Sequence, residues 1–187
     1  MKADTSARII VLSGQSGSGK TSLAKELVQK LDASFASFGS FVRLEAIRRG
    51  IELDRNSLQN LGQALIAEFG SDEFVKEVLI HRQGNSSIIT VLDGVRSVEI
   101  WRSVQKLVSR SVLVYLDIEE DKRIDRLIKR DDLDLHSIRL MMQHPMETNI
   151  PDLRAHADLI LYNNSVDVMV SEVMKLVMLK GFNRDKV

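Results

Sequence analysis

The chain has 187 residues, 26 Lys and Arg against 26 Asp and Glu, 44% hydrophobic residues, two prolines and no cysteine. A chain this long makes one domain and buries roughly 70% of the surface its unfolded form exposes, so it needs no staple to fold. Zero cysteines exclude disulfides, thiolate zinc sites, iron–sulfur clusters and a thiol nucleophile. The balanced charge offers neither a basic stripe for nucleic acid nor the excess of a disordered chain.

Met1 to Arg8 is short and polar, without the apolar stretch of a signal peptide. No later segment approaches the ~20 apolar residues of a membrane span, so the expected location is the cytoplasm, with no membrane partner. The first apolar run, Arg8 to Ser13, has strand length and the continuous hydrophobicity of a strand covered on both faces. Gly14-Gln-Ser-Gly-Ser-Gly-Lys-Thr21 follows at once, and then Leu23, Leu27, Val28 and Leu31 recur at helical spacing. Ser34 to Phe38 reads as a second strand. Two helical stretches lie between Leu44 and Arg82, separated by Gly70-Ser71 and closed by Gly84-Asn85; Leu58, Leu61, Leu65 and Phe69 mark the buried face of one. They read as a helical insertion, about residues 39–83, within the same domain. Ile88 to Asp93, Val112 to Asp117 and Asp158 to Tyr162 are the remaining strands. Val98, Trp101, Val104 and Val108 mark a helix between the first two of these, and Gly181 closes a last helix. Its Met169, Met174 and Met178 read as packed core. The alternation predicts an α/β three-layer sandwich around about five parallel strands, as a single domain with ligands beyond the carboxyl ends of the strands.

Residues 14–21 fit G-x-x-x-x-G-K-[ST] between a predicted strand and a predicted helix, the phosphate loop of nucleotide-binding proteins. Backbone N–H groups and a helix N-terminus answer the charge of two or three phosphates, and glycine lets the backbone curl close to them. Gly14, Ser16, Gly17, Ser18, Gly19, Lys20 and Thr21 are therefore the expected ATP-binding residues. Lys20 would reach the β and γ phosphates and the Thr21 hydroxyl would hold Mg²⁺. Asp93 ends a buried-type strand, which sets its carboxylate beside the triphosphate to hold Mg²⁺ or orient the acceptor oxygen.

Beyond the loop, the chain resembles the nucleoside monophosphate kinases, the adenylate and cytidylate kinase group. Leu92-Asp-Gly-Val-Arg96 is similar to that family's D-G-x-P-R segment, without the proline and one residue shorter. Gly39-Ser-Phe-Val-Arg43 resembles its G-D-x-x-R segment, Arg126 to Arg130 its helix into a mobile lid, and Arg130-Asp-Asp132 with Arg139 its lid exit. Ala157 to Asn164 is similar to the last strand and base-side loop, particularly of dephospho-coenzyme A kinases. The resemblance implies transfer of the γ-phosphoryl of ATP, with Mg²⁺, to a small phosphorylated acceptor, a nucleoside or deoxynucleoside monophosphate first. It assigns Gly39, Arg43 and Arg96 to the acceptor's phosphate, Arg130 and Arg139, with Lys20 and Asp93, to catalysis, and Arg126 and Asn163 to the nucleotide's base side. It also implies a short lid over about 130–140 and an enzyme working as monomer or homodimer. Two open alternatives are a dephospho-coenzyme A kinase-like enzyme and an ATP-binding switch that transfers nothing.

Two cationic forks facing a neutral sugar would be left unpaired, which argues against shikimate- or gluconate-type acceptors. Asp131, Asp132 and Asp134 read as hinge and arginine-orienting acids rather than a metal site. His81, His136, His144 and His156 lack zinc-like spacing, with His144-Pro145 ending a helix. Asn56, Gln59, Asn60 and Gln63 read as the solvent-facing side of an amphipathic helix rather than readers of an acceptor base.

Overall fold

Every residue of the first strand, β1 (Arg8–Ser13), is buried. The computed structural model, which describes residues 7–84, 87–131, 134–162 and 165–182, explains this by placing β1 at the centre of a sheet. The other strands are β2 (Ser34–Ser37), β3 (Ile89–Val95), β4 (Arg110–Leu116) and β5 (Leu159–Leu161). All pairings are parallel, in the order β2-β3-β1-β4-β5. Parallel strands need crossover connections, which cover both faces of the sheet and account for the unbroken apolar runs.

On one face α1 (Lys20–Leu31) and α9 (Val166–Leu179) bury Leu23, Leu27, Val170 and Val173 against Ile10, Leu12 and Val114. On the other, α2 (Phe38–Arg49), α3 (Arg55–Phe69), α4 (Ser71–Ile80) and α5 (Val98–Leu107) bury Phe41, Leu65, Phe74, Trp101 and Val104 against Val11, Leu92 and Leu113. The result is the expected α/β three-layer sandwich with a five-stranded parallel sheet. The insertion holds three helices where the sequence predicts two. Ser37 starts α2 immediately after β2 by accepting from the Ser40 N–H at 3.3 Å, so Phe38 is helical rather than the end of a strand. Asp54 caps α3 by accepting from the Asn56 and Ser57 N–H groups. The last of the three ends at Ile80, before Gly84, because Gln83 leaves the helix to exchange two backbone hydrogen bonds with Phe35.

Between β4 and β5 run α6 (Glu120–Asp131), α7 (Leu135–Gln143), α8 (Pro145–Thr148) and a 3-10 turn at Ile150–His156. The expected short lid loop is therefore largely a helix. Leu127, Ile138 and Met141 form a small apolar cluster joining α6 to α7, apart from the two main cores. Ile150 and Leu153 return the chain to the main core. In α9, Met169 is buried as expected, but Met178 is exposed. Among the described residues no helix is long and apolar enough to cross a membrane.

Candidate active site

β1 delivers the chain to the loop with Ser13 tied to β3, its hydroxyl donating to the Val95 carbonyl at 2.8 Å. The loop then depends on glycine at two points of close approach. A Cβ on Gly14 would stand 2.7 Å from the Leu116 carbonyl oxygen, and one on Gly17 would stand 2.7 Å from that of Arg123. Both glycines have positive φ, +140° and +82°, so the curl of the loop and its contact with β4 and α6 demand the same residue type. Gly19 begins α1 without a capping side chain, which leaves the first-turn N–H groups to meet an anion.

Lys20 turns its ammonium back into the loop, donating to the carbonyls of Gly14 at 2.6 Å and Gln15 at 3.0 Å and to Ser18 Oγ at 3.3 Å. Burial lowers its pKa to about 8. The Asp93 and Glu147 carboxylates oppose that shift, whereas the nearby charges of Arg96 and Arg130 reinforce it. Asp93 lies at the carboxyl end of β3, only 8% exposed, and burial pushes its carboxyl upward against the pull of Lys20, Arg96 and Thr21. Thr21 Oγ1 donates to Asp93 Oδ2 at 3.4 Å, while Asp93 Oδ1 is buried with no hydrogen-bond partner. An unsatisfied carboxylate oxygen beside a helix-start hydroxyl fits a hard cation shared with phosphates. Thr21 and Asp93 are the residues that would hold Mg²⁺. Among the described residues no group of three or more His, Asp or Glu could hold a metal by itself.

The arginines divide. Arg126 reaches the loop, donating to the Gly17 carbonyl at 3.3 Å, and Arg130 at the end of α6 acts electrostatically on Lys20. Arg139 is exposed on α7. Arg43 is exposed on α2 and donates back to the Gly39 carbonyl one turn earlier at 3.3 Å, so this pair lies along the first two turns of that helix. Arg96, expected at the acceptor's phosphate, has partners within the protein. It donates to Glu147 Oε1 at 2.5 Å and to the Met146 carbonyl at 3.1 Å. Asn163 and Asp132 lie outside the described residues. Asn60 faces His144, whose Nε2 is 3.3 Å from its Oδ1, and Gln59 Nε2 is buried without a partner, so this side of α3 is not simply solvated.

Sequence reasoning missed three residues. Glu147, 1% exposed on α8, accepts from the Ser16 N–H at 3.0 Å and the Ser16 hydroxyl at 2.6 Å. Arg55 at the start of α3 donates to the same hydroxyl at 2.7 Å. Arg123, buried under the loop, points a guanidinium N–H at the Ser16 carbonyl at 3.5 Å. The only local signal for Glu147 was His144-Pro145: His144 caps the new helix by accepting from the Met146 N–H, and proline suits its first position. Nothing local marks the other two, since their partners are 39 and 107 residues away in sequence.

The fold is that of known phosphate-loop kinases. A shikimate kinase from Acinetobacter baumannii in complex with shikimate superposes with a TM-score of 0.63 at 14% identity, covering 97% of this chain and 99% of that one. A gluconokinase from Sinorhizobium meliloti gives 0.56 at 16% identity, covering 94% of each chain. In sequence, a UPF0200 protein of Pyrobaculum aerophilum is 26% identical over 176 residues, 91% of this chain and 97% of the relative. The model of the AAA domain family matches residues 13–139, from the last residue of β1 through the phosphate loop to α7. That stretch is well over half of the chain and holds the loop, Asp93, α6 and the first half of α7, and the protein belongs to this family, with a kinase-like phosphate-loop fold.

Proposed function

We propose that the protein is an ATP- and Mg²⁺-dependent phosphotransferase that moves the γ-phosphoryl group to a small phosphorylated acceptor, a nucleoside or deoxynucleoside monophosphate first. The observation that carries this is the convergence of charge on Lys20: Asp93, Arg96, Glu147 and the α6 residue Arg130 all act on its ammonium. Phosphoryl transfer asks for this kind of preorganised neutralisation, since charge in its transition state is spread over oxygen atoms. Lys20 and the N–H groups of the loop bind the triphosphate. Thr21 and Asp93 hold the metal, which neutralises phosphate oxygens when bound. Arg126, Arg130 and Arg139 lie on the two lid helices, from which they can approach the nucleotide, and Arg43 and Arg96 face the acceptor's phosphate.

One observation favours a second reading. With Glu147 against Arg96, the acceptor side has one unmatched positive charge fewer than the sequence implies, which weakens the case against acceptors whose reacting group is a plain hydroxyl. The structural neighbours that carry shikimate kinase and gluconokinase names fit that reading. The test is incubation with ATP and Mg²⁺ and a panel of nucleoside and deoxynucleoside monophosphates, dephospho-coenzyme A, shikimate and gluconate, with ADP formation as the readout. Phosphorylation of a monophosphate supports the first reading, and phosphorylation of shikimate or gluconate alone replaces it with the second. Saturable ATP binding with no transfer to any acceptor would leave a nucleotide-dependent switch.

A further inference from the structure

Glu147 is a buried acid that none of the expected roles uses, and among the described residues it is the most deeply buried carboxylate, 1% exposed. It stands on a four-residue helix between the lid pair α6–α7 and the 3-10 turn that returns to the main core. Its carboxylate receives the Ser16 N–H at 3.0 Å, the Ser16 hydroxyl at 2.6 Å and the Arg96 guanidinium at 2.5 Å. The nearby Arg96 charge and these hydrogen bonds hold its pKa below the ordinary glutamate value although burial works the other way, so the group is a carboxylate at neutral pH. A buried ion pair of this kind rarely pays for itself in stability against an apolar replacement. It does fix geometry. The Arg96 guanidinium is held through one nitrogen by Glu147 and the Met146 carbonyl, while its side chain keeps 28% exposure. Arg55 adds to the same knot by donating to the Ser16 hydroxyl from α3.

We propose that Glu147 is a positioning residue for phosphoryl transfer: it acts through Arg96, holding that guanidinium at the acceptor side while fastening the hinge of the lid to the phosphate loop at Ser16. This rests on the reading of Arg96 as an acceptor-binding residue. A carboxylate that only supported the fold would affect ATP and acceptor alike. One that acts through Arg96 affects the acceptor selectively, and only while Arg96 is present.

The experiment is a double-mutant cycle on Glu147→Ala and Arg96→Ala, with Glu147→Gln as the conservative partner. Acceptor KM and kcat are measured with the acceptor found in the panel, and binding of a fluorescent ATP analogue is measured without it. Glu147→Ala is expected to raise acceptor KM about tenfold with a smaller change in kcat and in analogue binding. Glu147→Gln, which keeps an oxygen for Arg96, should recover part of that loss, and in the Arg96→Ala background Glu147→Ala should leave acceptor KM unchanged, whatever its loss of the Ser16 contacts does to analogue binding. Equal losses in both backgrounds, or a lower acceptor KM in Glu147→Gln, would overturn the proposal; the latter would mean that Glu147 competes with the acceptor. A readout that needs no acceptor separates this from failure of the functional reading. Guanidinium proton resonances assigned to Arg96 by their loss in Arg96→Lys should be sharp in the parent protein and broadened in Glu147→Ala. Unchanged resonances would sink the positioning role. Broadening without phosphorylation of any acceptor would show that Glu147 orders Arg96 but would remove the kinase reading, and with it the role in phosphoryl transfer.

Discussion

A lysine whose ammonium is half-starved of water carries a measurable signature. Lys20 has its pKa lowered to about 8, below the ordinary 10.5, with burial as the main cause. Between those two values the unfolded chain holds the proton more firmly than the folded one. The contribution of this group to stability therefore rises with pH across that window and is flat below it. A triphosphate reverses the balance, because its charge restores the ammonium. ATP binding at about pH 9 is therefore expected to take up a proton, seen by calorimetry as a heat that depends on the ionisation enthalpy of the buffer, with no such uptake at about pH 6.5. Lys20→Met should abolish the dependence, and buffer-independent heat at the higher pH in the parent protein would refute the assignment. Asp93 makes the opposite case. Burial raises its pKa despite Lys20 and Arg96, so the folded state binds this proton more firmly than the unfolded chain does and the charge works against stability. Asp93→Asn is expected to match or exceed the parent in apo melting temperature while losing about 100-fold or more in phosphoryl transfer. A large drop in melting temperature would show that its charge stabilises the fold.

At the scale of elements, the loop between β1 and α1 is shaped by what packs behind it. Gly17→Ala would press a Cβ against the Arg123 carbonyl on α6 while holding an L-residue at φ +82°, a cost of about 1–3 kcal/mol. The loop cannot yield without moving α6. The expected result is a weakening of ATP-analogue binding by about tenfold or more, with the denaturant midpoint lowered by less than a core truncation would cause. Unaltered binding would mean that the loop is looser than its contacts imply. The strand-helix punctuation was legible because β1 and α1 are decided by local rules: an unbroken apolar run, three closely spaced glycines, and leucines at helical spacing. The boundary between β2 and α2 was not, since Phe38 suits either element and the Ser37 cap decides it.

For the whole molecule, α6 and α7, which carry the proposed lid, have a small core of their own and are followed by α8 on the way back to the main body. Leu127 is fully buried in that satellite cluster. Leu127→Ala is expected to lower the local opening energy of α6 and α7 by about 2–3 kcal/mol. Hydrogen exchange in those two helices should accelerate while amides in β1, β3 and β4 keep their protection. Uniform acceleration would show that the lid and body unfold as one unit. If the protein is the proposed phosphotransferase, the acceptor is expected to help complete closure, so ATP hydrolysis without acceptor should be slow. Hydrolysis at the same rate with and without acceptor would refute this.

The sequence by itself determined the parallel sandwich, the phosphate loop and the strand-end acid, because each rests on residues that are neighbours along the chain. The partners of the arginines came from the fold. Glu147 meets Arg96 across 51 residues and Ser16 across 131, and a carboxylate's burial depends on distant segments arriving around it. No spacing rule records that meeting. A charge read along the sequence looks unpaired until the fold supplies its partner, as Glu147 does for Arg96.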